Sequence, residues 1–272
     1  MRSGVLAARI ISAMAAAVML SACAVPRAGV SSPRTATPDR ITASDEPENT
    51  RRARVRLELA SAYFGRGQVV TALDQVKQAI AADPTIGPAF NLRGLIYSNL
   101  GDYALADESF QRALALDPED ADAMQNYGWH MCQQARFADA DALFARALAV
   151  PRYRDSARTL MTRGICQARS GNLEQAEGNL QRAFELEAAN PAVAVNLSEV
   201  LYRRGAFERA RFIMRRVNGM PDVSNAQTLW LAARIENRLG NSQAARAMGE
   251  QLTARFPESP EAGAFERRRF DD

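Results

Sequence analysis

The chain has one histidine, His130, and one lysine, Lys77, and its three cysteines fall at Cys23, Cys132 and Cys166. A metal site needs several ligands at close spacing, which a lone histidine without paired cysteines does not supply. His130 is expected as a surface or half-buried side chain on a helix. No glycine-rich phosphate cradle, zinc motif or nucleophile elbow is present. Asp102 and the neighbours Asp107 and Glu108 read as turn caps and solvated helix faces. A catalytic reading has nothing to stand on, so no cofactor, metal ion or small-molecule substrate is expected. The formal net charge of +3 is not that of a nucleic-acid binder. The scarcity of lysine reads as base composition. The apolar run Ile10–Leu20 is shorter than the roughly 20 residues that a membrane-spanning helix needs. No stretch alternates apolar and polar residues, so nothing argues for a sheet. Ala, Leu, Arg, Glu and Gln abound, and all are good helix formers.

What the chain does contain is best seen in residues 87–120, GPAFNLRGLIYSNLGDYALADESFQRALALDPED. Phe90, Gly94 and Tyr97 share one helical pattern, Gly101 and Asp102 break it, and Ala106, Phe110 and Ala113 carry a second that stops at Asp117–Pro118. Gly94 and Ala106 let two helices approach closely, while Tyr97 and Phe110 fill the space between them. Pro118 lacks an amide N–H and ends the second helix. The order and the length of 34 residues resemble the tetratricopeptide repeat.

The pattern recurs. Thirty-four residues earlier stand Ala60, Tyr63, Gly67, Ala72, Ala79 and Pro84; thirty-four later stand Gly128, Met131, Ala135, Ala140, Phe144 and Ala147. The next unit, with Gly164, Gly171, Ala176, Leu180 and Ala183, arrives about two residues late because PRYRD (residues 151–155) lengthens the connection. A fifth holds Ser198, Leu201, Gly205, Ala210 and Met214, and a degenerate sixth holds Ala233, Gly240, Ala245, Leu252 and Pro257. Six units are expected at about 53–86, 87–120, 121–156, 157–190, 191–225 and 226–259. One helix pair cannot bury its apolar faces alone, so the expected fold is all-α: a right-handed superhelical solenoid of about 12 helices with a concave groove. Residues 260–272 are expected to cap the last repeat, with Phe265 inward, or to fray.

Residues 1–22 are set apart from the repeats. Arg2 and Arg9 bracket a basic start, the apolar run follows, and Leu20–Ser21–Ala22–Cys23 resembles a bacterial lipoprotein signal. That resemblance implies cleavage before Cys23 and acylation of its thiol and new N-terminus, with Ala24 favouring transfer to the outer membrane. An ordinary secretory peptide with an incidental Cys23 is the alternative. Several acyl chains hold a protein stably on a bilayer. Removing residues 1–22 takes away two arginines and no acid, leaving a net charge of +1. Residues 24–52 are rich in Pro, Ser, Thr and Ala and read as a disordered tether with an r.m.s. reach of about 30 Å.

Cys132 and Cys166 fall on first helices of adjacent repeats, 34 residues apart. Two reduced thiols in small core sites are one reading. The other, which an oxidising exported location favours, is a disulfide that staples the junction weakened by PRYRD. Concave-facing positions of the first helices are expected to be Leu57, Ser61 and Phe64 in repeat one, Asn91, Leu95, Ser98 and Asn99 in repeat two, and Gln125, Trp129, Cys132 and Gln133 in repeat three. Amides can bond both N–H and C=O of a bound peptide, and tryptophan is a frequent interface anchor. Solvated polar faces, and inter-repeat packing for Trp129, are the plainer readings of the same residues.

The segment NYGWHMCQQ (residues 126–134), with the lipoprotein signal, the tether and the repeats, resembles the type IV pilus biogenesis and stability lipoproteins, the PilF/PilW pilotins. The likeness runs from about Arg52 to about Glu258, and Cys132 and Cys166 sit where that family has its cysteines. His130–Met131 and Ala135 depart from it, the latter in place of a turn glycine. The resemblance implies a non-enzymatic, periplasm-facing outer-membrane lipoprotein. Its partner would be the pilus secretin, which it would help to localise and assemble. A scaffold lipoprotein for another envelope complex, such as peptidoglycan synthesis or a different secretion system, is the competing expectation.

Overall fold

The structure, a computed structural model, describes residues 45–270. The expected signal peptide, Cys23 and the tether as far as residue 44 lie outside the described residues. Thirteen helices and no strand are found among the described residues. They pair in chain order: α1 (Glu48–Gly65) with α2 (Val69–Ala82), α3 (Gly87–Leu100) with α4 (Tyr103–Leu116), α5 (Ala121–Gln133) with α6 (Phe137–Ala149). Then come α7 (Ser156–Arg169) with α8 (Leu173–Leu186), α9 (Pro191–Arg203) with α10 (Phe207–Asn218), and α11 (Ala226–Arg238) with α12 (Ser242–Arg255). A short α13 (Pro260–Glu266) packs on α11 and α12. Glu48–Arg52, read from composition as the end of the tether, are instead the first residues of α1. Pro47 precedes that helix and Glu48 stands in its first turn, where a carboxylate favours the helix dipole.

Five of the six pairs cross where one helix carries a small residue and the other a larger one. A Cβ added to Gly94 would lie 2.7 Å from the Phe110 ring, one at Gly128 2.9 Å from Phe144, and one at Gly164 2.7 Å from Leu180. The same register holds Ala60 with Val76 and Ser198 with Met214, all fully or nearly fully buried. In the sixth pair Ala233 faces Gly249, which has nothing to offer the crossing. Phe265 of α13 fills that space: its ring would lie 2.0 Å from a Cβ at Gly249.

Six intra-pair turns share one hydrogen bond, from the residue just before the second helix to a carbonyl five positions back: Gln68 to Tyr63, Asp102 to Tyr97, Arg136 to Met131, Asn172 to Gln167, Ala206 to Leu201 and Asn241 to Glu236. This closure needs a left-handed residue between. Gly67, Gly101, Gly171, Gly205 and Gly240 supply it, whereas the third turn uses Ala135 at φ 59°. An L side chain pays about 1–2 kcal/mol for that conformation. Successive first helices run closer together along the whole stack, α1 with α3 through α9 with α11, than successive second helices do. The first helices therefore line the tighter, concave side of a superhelical solenoid.

Ala135→Gly should raise stability by about 1 kcal/mol, read as a higher urea midpoint with an unchanged slope.

Candidate protein-binding groove

The groove-lining side chains of repeats two and three are largely bonded to one another. Asn126 donates to Asn91 Oδ1 at 3.1 Å and accepts from Arg158 at 3.4 Å. The Ser98 hydroxyl meets His130 Nδ1 at 2.8 Å and Gln133 Oε1 at 3.4 Å. Gln125 is only 3 % exposed, and its Oε1 has no hydrogen-bond partner. The expectation that Gln125 presents its amide to a ligand is thus corrected: the side chain is enclosed. Trp129 is half-buried against the core around Tyr127 and Phe144, with Arg169 over its ring at 5.9 Å. Leu95 joins the same cluster, and Leu57 and Phe64 pack with Ala60, Val76 and Ile96. Of the expected groove residues, Ser61, Asn99 and Gln133 are exposed.

His130, expected at the surface or half-buried, is 1 % exposed. Its ring lies among Tyr103, Phe110 and Tyr127 at centroid distances of 5.7, 5.6 and 6.3 Å. Gln134 Nε2 stands 2.7 Å from its Nε2, and Asp107 Oδ1 is 3.4 Å away. Burial pushes its pKa below the ordinary 6.5, with the Asp107 carboxylate pulling the other way.

Sequence reasoning missed two features here. Asn126 looked like a family signature, but its role is to tie α3, α5 and α7 together. The second feature is a change of charge along the inner face. The register position of Asn99 and Gln133 becomes Arg169, Arg203 and Arg238 in repeats four to six. Stepping 34 residues from Gln133 lands on Gln167 and misses the series; the two-residue insert must be added first.

Tetratricopeptide-repeat family models match residues 87–120 and 167–220. The crystal structure of PilW, a widely conserved type IV pilus biogenesis factor, superposes with a TM-score of 0.74 at 30% identity, covering 78% of this chain and 97% of PilW. This chain belongs to the PilW family of tetratricopeptide type IV pilus biogenesis factors. PilF of Pseudomonas aeruginosa shares the fold at 23% identity and a TM-score of 0.72, over 82% of this chain and 100% of PilF. YrrB, a repeat protein with an unusual peptide-binding site, shares the fold at 18% identity and a TM-score of 0.57, over 71% of this chain and 97% of YrrB. No curated protein sequence matches the chain.

Within this PilW-type solenoid Cys132 and Cys166 form a disulfide between α5 and α7, with Cα atoms 5.8 Å apart. The irregular connection beside it is anchored by Tyr153, whose hydroxyl meets Asp122 at 3.2 Å and Thr159 at 3.0 Å. Burial pushes the Tyr153 pKa up to about 12, so the hydroxyl keeps its proton and can donate to Asp122. No group of residues suited to a metal ion occurs among the described residues.

Two measurements check this region. Reduction, or Cys132→Ser with Cys166→Ser, should cost about 3 kcal/mol in urea unfolding. The folded state holds His130 neutral, so the unfolded chain takes up the proton first as pH falls through 6.5, and stability is lost from there down to the folded pKa. His130→Gln should flatten the drop in urea midpoint between about pH 7 and about pH 5; an unchanged drop would assign the titration to another group.

Proposed function

We propose that this protein is a non-enzymatic outer-membrane lipoprotein that binds a type IV pilus secretin subunit and promotes its localisation and assembly. The likeness to PilW over nearly the whole of PilW carries the pilus part of the reading. The lipoprotein signal at Cys23 supports the anchor, and α1 offers a surface for the partner. In repeats two to six, three first-helix positions are turned toward the preceding repeat. They are filled by Ala89, Arg93 and Ile96, then Ala123, Tyr127 and His130, and onward to Thr228, Ala232 and Ile235. Apart from half-buried Arg93 and Arg163, these positions are buried. In repeat one they are Val55, 47 % exposed, Leu59, 40 % exposed, and exposed Ala62.

This uncovered apolar stripe adjoins the inner face where Ser61, Asn99 and Gln133 are open. A subunit segment laid on it would gain the burial that later repeats obtain from their neighbours. The protein acts by equilibrium: covering apolar surface of the unassembled partner while the lipid supplies the address.

Val55→Asp with Leu59→Asp should reduce secretin capture by the lipidated protein about tenfold or more without altering its helical melting curve. Undiminished capture would refute the surface. Co-purification of a different envelope complex in place of the secretin would refute the function.

A further inference from the structure

The segment after α13 turns back over the inner face of repeats five and six. The Phe270 ring lies on Trp230 at 5.2 Å and edge-on to Phe265 at 6.1 Å. Its carbonyl accepts hydrogen bonds from Tyr202 Oη at 3.4 Å and Arg234 Nε at 3.3 Å. Arg234 in turn stacks over Tyr202 at 4.5 Å. These residues occupy the concave register: Trp230 matches Gln125, Arg234 matches Trp129, and Tyr202 matches Cys132. An aromatic side chain and a backbone carbonyl of the chain itself therefore sit where a solenoid of this kind would hold a peptide.

The hold is partial. Arg268 reaches the turn at φ 53°, a conformation that costs an L side chain energy. A cavity of about 380 Å³ opens beside the segment, lined by Asn237, Arg246, Phe265 and Phe270. The surroundings favour negative charge. Among the concave register positions of repeats four to six stand Arg169, Arg203, Arg234 and Arg238, against Glu199 as the one carboxylate. In the sequence Phe270 is followed by Asp271 and Asp272.

We propose that Tyr202, Trp230 and Arg234 form a second peptide-docking site, which the chain's own segment fills and which a partner's segment bearing an aromatic residue followed by carboxylates displaces it from. Trp230 takes the ring, Arg234 and Tyr202 take the carbonyl, and the arginine series attracts the acids. The proposal is independent of the pilus reading, since it concerns the opposite end of the solenoid from α1.

The test measures fluorescence anisotropy of a labelled peptide of sequence RRFDD (residues 268–272) added to the mature chain and to a chain ending at Arg267. A tethered segment competes at an effective concentration that an added peptide does not reach. The shortened chain should bind at least about tenfold tighter than the full one. Exchanging the peptide's phenylalanine for alanine, or both aspartates for asparagine, should weaken binding severalfold. If the shortened chain fails to fold by circular dichroism, Phe270→Ala in the full chain takes its place. Equal binding to both chains, or full affinity for the alanine peptide, would overturn the site; full affinity for the asparagine peptide would overturn its acidic preference.

Discussion

Two helices that cross within van der Waals contact leave no room for side chains on both, so one must yield its volume to the other. Every repeat here obeys that constraint, with different residues. Glycine faces the bulky partners Phe110, Phe144 and Leu180, whereas Ala60 faces the smaller Val76. The sixth pair shows what happens when neither side supplies bulk. Ala233 and Gly249 would leave a void of side-chain size, and a void forfeits the dispersion contacts of its whole lining. Phe265 enters it from α13. The short last helix is thus a necessary part of repeat six.

The crossing constraint is also why the fold was legible. It demands small and large residues at fixed offsets, so the 34-residue spacing from Gly94 and Phe110 could be followed through five further units without structural knowledge. What stayed hidden depends on partners distant in sequence. His130 is polar and was expected at the surface or half-buried, yet Ser98 of α3 and Asp107 of α4 meet it, beside Gln134 at the end of its own helix. Asn91 looked available to a ligand, but its acceptor is already used by Asn126 of the next repeat. The start of α1 was misplaced for another reason. EPENT has a linker's composition, but a proline before the first turn and a glutamate within it are also how helices begin.

The junction between repeats three and four concentrates irregularities. Its neighbouring turn has alanine at positive φ, its connection is longer, and Arg152 in that connection also stands at φ 60°. Against these stand the Cys132–Cys166 bond, the hydroxyl of half-buried Tyr153, and Asp141, which accepts from Arg163 at 2.8 Å and from Gln167 at 2.8 Å. The Arg163 hydrogen bonds hold the Asp141 carboxyl below its usual range, so the pair remains ionised well into acid. A stack of repeats is only as rigid as its nearest-neighbour contacts. Cross-links placed at this lengthened connection keep the two halves from hinging there.

Such rigidity matters because the inner face is not uniform. Repeats two and three present Asn99 and Gln133; at the same register the later repeats present Arg169, Arg203 and Arg238. Few acids share that face, Glu199 among them. Asp107, Asp141 and Glu177 occupy one position of the second helices and pair with Arg136, Arg163, Arg204 and Arg209. Arg169 lies over the Trp129 ring and Arg203 donates to the Ala168 carbonyl, contacts that direct each guanidinium without cancelling its charge. An extended chain running along the groove would therefore pass from neutral amides to a basic stretch. For a chain with one acidic end, charge would favour the direction that sets that end against the arginines. A flexible solenoid would blur that polarity; one stapled at its middle preserves it.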